Sequence, residues 1–286
     1  MADLGELLDL QRVGDHRFRT EHGQPNRNGA VFGGQLLGQA LRAAQLAFAD
    51  DRKPVHSMHA SFENAADATR GIDYTAARVL EGSSESLWQV RAEQGGTPVL
   101  TATVAFGARR EGFAHATGWR RTPPMPEDLP LLSRWQEDLA GELSAHGRSR
   151  TRTYPQVEVR PVDGRRHLLV EDGPPDSEFW IRALHGDSGL PLPETAVLAY
   201  LSDYLAVNPV LAGHVAELPA EPLFVASLNH ALWFHATPMP GEWQHHQLAS
   251  PWAGGGRALC LGSIRSRDGQ LLATFAQETL VRLRRG

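Results

Sequence analysis

The sequence predicts an α+β fold made twice: two antiparallel sheets, each wrapping a long central helix. Three observations carry that expectation. An apolar helical stripe near residues 33–50 is followed by four strand-like segments, and the same order recurs in the second half. Two short matches, His59-Ala60 with His230-Ala231 and Leu100-Thr101-Ala102-Thr103 with Leu271-Leu272-Ala273-Thr274, share one offset of 171 residues. Turn residues separate the strand-like segments at spacings suited to a meander.

In chain order, Leu4, Leu7 and Leu8 predict a short amphipathic lead-in, followed by a polar stretch. Leu36, Leu37, Ala40, Leu41 and Ala44 mark the buried face of a helix running from about Gly33 to Asp50. Gly38 within that face costs about 1 kcal/mol relative to alanine, so a second backbone is expected to pack closely there. Strands are expected at 55–63, 72–81, 86–93 and 98–107, with turns at Gly71, Gly82 and Gly95-Gly96. From Ala108 to Pro155 the prolines 123, 124, 126 and 130 cluster, and a short helical stretch leads to Arg148-Ser149-Arg150-Thr151-Arg152, which reads as a connection with a helix of its own. Strands at 156–162 and 178–184 then precede an apolar helix from about Glu194 to Ala206, with further strands near 223–235, 243–250, 257–266 and 270–283. The expected division is an N-terminal domain over 1–107, a connection over 108–155, and a C-terminal domain over 156–286. One helix wrapped by an antiparallel sheet, made twice, is the pattern of a double hotdog, whose sheets can join and so protect their edges.

Composition excludes several classes of function. The 286 residues carry 33 acidic and 28 basic side chains, a net charge of −5, and no run of five like charges. Nucleic acid or an anionic membrane recognised by bulk charge is therefore not expected as a partner. The single cysteine, Cys260, rules out an intramolecular disulfide and multi-cysteine metal centres, and fits a reducing, cytoplasmic setting. The start, Met-Ala-Asp-Leu-Gly-Glu-Leu-Leu-Asp, lacks the pattern of a secretory signal, and no stretch has the apolar length of a membrane span. The end, Leu283-Arg284-Arg285-Gly286, is not a peroxisomal address. Only Lys53 among the basic residues is a lysine, a bias that suggests genome base composition rather than chemistry.

Asp203 is the most informative residue. It interrupts Ala196-Val197-Leu198-Ala199-Tyr200-Leu201-Ser202-Asp203-Tyr204-Leu205-Ala206-Val207, a run apolar on every helical face. A carboxylate inside such a helix is costly without hydrogen-bonding partners, and that tension is typical of functional groups as well as of structural carboxylates. Candidate partners lie on the strands expected to wrap this helix: Ser227 at the start of an apolar segment, and Gln277 on the last strand. Carboxylate, hydroxyl and amide together can hold one water and orient it for attack.

Thirteen histidines do not form a metal pattern. His56 and His59, and the adjacent His245-His246, fall on opposite faces of their strands, and no His-Glu-x-x-His occurs. Gly29, Gly33, Gly34 and Gly38 miss the dinucleotide spacing and are better suited to starting a helix whose N-terminal amides face a ligand. Gly186-Asp187-Ser188-Gly189-Leu190 lacks the second glycine of a serine-hydrolase elbow.

The segments Val31-Phe32-Gly33-Gly34-Gln35-Leu36-Leu37-Gly38-Gln39-Ala40-Leu41 and His56-Ser57-Met58-His59-Ala60-Ser61-Phe62 resemble the helix start and the following strand of the type II, TesB-like acyl-CoA thioesterases. Val159-Arg160-Pro161-Val162, Phe179-Trp180-Ile181-Arg182, His230-Ala231-Leu232-Trp233-Phe234-His235 and Gln277-Glu278 extend the resemblance over nearly the whole chain, least over 108–155. It implies a double hotdog that hydrolyses fatty acyl-CoA to free fatty acid and CoA, with no metal or other cofactor and coenzyme A entering as part of the substrate. It also implies that Asp203, Ser227 and Gln277 are catalytic, and fused hotdogs commonly associate into a homo-oligomer. The geometry of a helix start makes Gly33 and Gly34 candidates for substrate binding, location makes Phe32 one, and His59 and Arg257 join them as candidates. The chain departs from the family pattern at Ser227, where relatives carry threonine, and at Asn229, where many carry aspartate. It also departs at Asn64-Ala65-Ala66-Asp67, Leu80 and Glu85, the last two removing an arginine and a phenylalanine.

Two other readings remain open from the residues alone. A non-catalytic acyl-CoA or lipid-binding protein would keep the fold and fits the altered first-half turns, but not the intact trio. A hydratase is disfavoured, because Asn208 stands where a histidine would follow the aspartate.

Overall fold

The computed structural model describes residues 2–21, 23–50, 52–119, 121–150 and 154–283, with Arg150 described by its backbone alone. The end of the arginine-rich stretch, Thr151-Arg152, and Arg284–Gly286 of the C-terminal motif lie outside the described residues. The elements are α1 (Leu4–Leu8), β1 (Gln11–Gly14), β2 (Arg17–Thr20), α2 (Gly33–Phe48), β3 (Val55–Phe62), β4 (Ile72–Glu81), β5 (Glu85–Gln94), β6 (Thr97–Gly107), α3 (Leu132–Asp138), α4 (Ala145–Arg150), β7 (Val157–Pro161), α5 (Gly164–His167), β8 (Asp176–Ala183), α6 (Glu194–Ser202), α7 (Asn208–Ala212), β9 (Leu223–Phe234), β10 (Gln244–Gly254), β11 (Arg257–Arg265) and β12 (Leu271–Leu283). The chain divides into two compact units. One holds residues 1–116, 185–204 and 229–240, and the other holds the rest.

In the first unit the strands lie in the order β1-β2-β4-β5-β6-β3-β9. Alternation along β5 buries Trp88, Val90 and Ala92 toward α2, which packs across β4, β5 and β6. The β1–β2 hairpin falls in the stretch that reads as polar. Gln11, Arg12, Arg17 and Arg19 face solvent there, and the inward set on β2 is only Phe18 and Thr20, too short for period-2 alternation to register. α6 also belongs to this unit, lying against α2. At Gly38 a Cβ would meet the Ala196 carbonyl at 2.9 Å, and at Gly34 it would run into the Tyr200 carbonyl. The close backbone expected at Gly38 is therefore α6, and two glycines one turn apart on α2 face two carbonyls one turn apart on α6.

The second unit repeats the strand order as β7-β8-β10-β11-β12-β9, with β9 contributing residues 223–228. Each sheet thus starts from a two-stranded edge and places its four meander strands identically, the topology expected of duplication. The repeated dipeptides even face one another, His59 opposite Ala231 and Ala60 opposite His230, across the antiparallel pairing of β3 with β9.

The helical side of the repeat differs from expectation in two ways. The run predicted as one helix over 194–206 breaks after Ser202, and Leu205 adopts a left-handed φ of +61°, a conformation costing roughly 1–2 kcal/mol for an L-residue. Pro209, in the first turn of α7, suits the start of a new helix there. The element packed on β8, β10 and β11 is this five-residue α7, which with Val207 and Leu169 forms an apolar cluster against Ala258. The second sheet therefore wraps a short helix rather than a long one, and α6 packs on α2 because its apolar run fits the glycine face there.

Compactness also cuts the chain elsewhere than at 107 and 155. From Thr117 the connection belongs to the second unit. It lies against that unit's sheet, where Trp180 Nε1 donates to Pro124 O at 2.9 Å and Arg160 Nη1 donates to Pro126 O at 3.0 Å. Its prolines expose carbonyls that these two side chains use. Trp119 covers the outward ring of His245, the two centroids lying 6.0 Å apart.

Candidate active site

The structure moves Asp203 from the interior of a helix to the end of one. It occupies the C-cap of α6 (φ −82°, ψ −10°), its N–H directed at Leu201 O, and the residue is 8% exposed. Its Oδ2 faces the first residue of α2: a Cβ at position 33 would sit 2.7 Å from it and 3.3 Å from Phe62 Cε1. Glycine at 33 leaves the space that the carboxylate occupies. At the end of α6 that carboxylate meets the partial negative charge of the last carbonyls, whereas the start of α2 offers the opposite partial charge.

α2 begins at Phe32 with no side-chain cap, and the first turn of a helix has N–H groups without intrahelical acceptors. The Phe32 ring stands edge-on to Tyr200 and Tyr204, at centroid distances of 5.2 and 6.2 Å. Tyr200 in turn donates its hydroxyl to Gln24 Oε1 at 2.8 Å, and Gln24 N–H donates to Gln35 Oε1 at 2.7 Å. The start of α2 is thus held by aromatic edges on one side and buried amides on the other, a rigid setting for Gly33 and Gly34.

In the second unit, Gln277 is buried on β12 opposite Cys260 of β11. Its Nε2 donates to Ser227 Oγ of β9 at 3.0 Å. The hydroxyl accepts in that bond, so its own proton can be donated onward. Burial pushes the Cys260 thiol up to about 12, so it stays protonated in neutral water and is no nucleophile.

Two neighbourhoods are present, one in each unit: Gly33 with Asp203, which the sequence did not anticipate, and Ser227 with Gln277. His59 and Arg257 take other partners. His59 is exposed on β3, its ring edge-on to Trp233 at 5.5 Å. Arg257 is exposed at the start of β11 and faces Glu278 at 3.7 Å; strand alternation puts it on the opposite side of the sheet from Cys260 and Gln277. His245 and His246 point to opposite faces, as their adjacency requires: His245 reaches Glu178 at 3.0 Å, and His246 lies against the Phe179 ring. Among the described residues no group of three histidine, cysteine or acidic side chains could hold a metal ion, and no helix is long and apolar enough to cross a membrane.

Sequence reasoning missed one polar contact beside Asp203. Ser202 Oγ lies 3.0 Å from His230 Nε2, and both residues are buried. The available signal was a second polar residue, Ser202, adjoining the carboxylate in an apolar run.

Comparison with known proteins divides the chain into two consecutive stretches. A family model described as the acyl-CoA thioesterase N-terminal domain matches residues 22–107, and one described as the C-terminal domain matches residues 112–281. Acyl-CoA thioesterase 2 of Haemophilus influenzae is 31% identical over 99% of this chain and 98% of its own. The crystal structure of acyl-CoA thioesterase II TesB2 from Mycobacterium marinum aligns with a TM-score of 0.77 and 29% identity, covering 99% of this chain and 98% of that one. A protein with a hotdog fold from Alicyclobacillus acidocaldarius aligns with a TM-score of 0.76 at 19% identity, over 99% of this chain and 98% of that one, a likeness of fold alone.

Proposed function

Because this chain belongs to the type II acyl-CoA thioesterases, double-hotdog hydrolases that cleave acyl-CoA to the acid and CoA, we propose that Asp203, Ser227 and Gln277 hold and activate the attacking water. The carboxylate of Asp203 takes a proton from that water as its oxygen adds to the thioester carbonyl. The hydroxyl of Ser227 and the amide of Gln277 orient the water, and N–H groups at Gly33 and Gly34 receive the developing oxyanion. Collapse of the tetrahedral adduct expels the CoA thiolate, which takes up the proton and leaves as the thiol. General-base activation and oxyanion stabilisation contribute roughly 10²–10⁴-fold and 10²–10³-fold in such reactions.

The observation that carries this reading is the Gln277–Ser227 hydrogen bond of 3.0 Å, which pairs two residues far apart in sequence, both among those the family resemblance implies are catalytic. The close approach of Asp203 Oδ2 to Gly33 supports it as well. Phe32, beside Tyr200 and Tyr204, supplies an apolar wall suited to the acyl group. No metal or organic cofactor takes part in this scheme, and coenzyme A enters only as substrate. The lone Cys260 supports a cytoplasmic location, and the exposed Trp233 and Leu80 support association into a homo-oligomer. Replacing Asp203 with asparagine tests the scheme. Free-thiol release from a fatty acyl-CoA should fall at least 10²-fold with the melting temperature near wild type. Wild-type turnover by that variant would remove Asp203 from the mechanism.

A further inference from the structure

We propose that His230 is a positioning residue for Asp203, acting through Ser202. The inference rests on Asp203 being the general base. Ser202 ends α6 and its hydroxyl donates to Ala199 O at 2.8 Å. With that proton committed, the 3.0 Å contact to His230 Nε2 makes the imidazole the donor and the serine oxygen the acceptor. Both side chains are fully buried, Ser202 at 0% and His230 at 1% exposure. A hydrogen bond in such a place is strong.

Geometry gives this contact a purpose beyond packing. Asp203 follows Ser202 directly and occupies the C-cap, so the last turn of α6 sets the origin of its side chain. Leu205, two residues on, takes a left-handed conformation, so α6 does not continue past Asp203. On the near side, Ser202 is bonded back to its own helix and outward to β9. His230 is itself fixed in the sheet, its backbone opposite Ala60 of β3. The strand that supplies the imidazole also carries Ser227 three residues earlier. An error of about 1 Å in the placement of a catalytic group can cost 10²-fold in rate, the scale on which such an anchor acts.

Full-length variants measured with a single fatty acyl-CoA by thiol release test this role. His230→Leu and Ser202→Ala should each lower kcat roughly 10–100-fold with KM within about twofold, and the double variant should lose no more than the worse single one. His230→Gln, whose Nε2 can donate from a similar place, should recover most of kcat. In an Asp203→Asn background His230→Leu should change nothing further. Near-normal kcat in His230→Leu, losses that multiply in the double variant, or a further drop in the Asp203→Asn background would each overturn the proposal. So would failure of His230→Gln to recover kcat while its melting temperature stays at that of wild type. If Asp203→Asn is itself fully active, the mechanism falls first, and that result is read without reference to His230.

Discussion

Gln277 donates its side-chain amide to the hydroxyl of Ser227 across 3.0 Å, from one neighbouring strand to another. Serine and threonine both supply that hydroxyl, and threonine adds a methyl that restricts its rotamer. Ser227→Thr should retain kcat within a few-fold, whereas Ser227→Ala and Gln277→Ala should each lose about 10–1000-fold. Losses in the Ser227→Ala/Gln277→Ala pair should fall well short of multiplying, because both act on one water. Initial-rate kinetics of thiol release give all four values, and fully multiplicative losses would separate the two roles.

Gly33 and Gly34 are adjacent yet fail differently when a methyl is added. At 33 the methyl presses on Asp203 Oδ2, a group that can swing. At 34 it presses on the Tyr200 carbonyl, a backbone atom of α6 that cannot. Gly33→Ala should therefore lower kcat more than 10-fold with a near-native urea midpoint. Gly34→Ala should lower stability by about 1–3 kcal/mol by forcing α2 and α6 apart. Equal stability losses in the two variants would contradict this assignment.

His246 ties stability to acid. Its ring is buried against Phe179, and desolvation, with the neighbouring His245 adding to it, pushes its pKa down to about 3. In the unfolded chain the ordinary value is 6.5. Below pH 6.5 the unfolded state therefore binds a proton that the folded state refuses, and stability declines as pH falls toward 3. The steepest contribution from this one site is about 1.4 kcal/mol per pH unit. His246→Leu should flatten the dependence of unfolding free energy on pH between 6 and 4 by about one proton, as read from urea titrations at several pH values. An unchanged slope would show that other groups dominate acid unfolding.

Cys260 offers a probe of the second sheet. Its thiol is buried on β11 and held protonated, its pKa pushed up to about 12. It should resist a thiol-specific disulfide reagent at pH 8 in the folded protein and react at once in denaturant, the native rate following opening of the β11–β12 pairing. Rapid labelling without loss of structure would place the thiol at the surface.

Much of the architecture is legible in the residues. The strand-like segments read between turn residues coincide with β5, β6, β11 and β12 to within a residue or two, and the 171-residue offset matches strands that hold equivalent places in two sheets. Gly38 announces a close backbone, and α6 supplies it. Three features are not legible. The β1–β2 hairpin has too few inward residues to display a period. The break between α6 and α7 carries no glycine: it turns on Leu205, whose left-handed backbone is paid for by packing on either side. The cover that residues 117–130 give the second sheet depends on carbonyls meeting Trp180 and Arg160, a match between distant segments.

By itself, the sequence determines which faces are apolar, in what order the strands follow, and which polar residues stand where burial makes them costly. Those properties are local: periodicity and turn chemistry act within a few residues, and an isolated carboxylate in an apolar run declares itself. Tertiary structure alone decides which surface covers each apolar face. A helix stripe specifies that something apolar must lie against it, not whether that partner is a sheet or another helix. So α6 lies on α2, through two glycines, while the five-residue α7 takes the place on the second sheet. That choice of partner puts Asp203 at a helix end beside Gly33, with Ser202 and His230 fixing the turn before it.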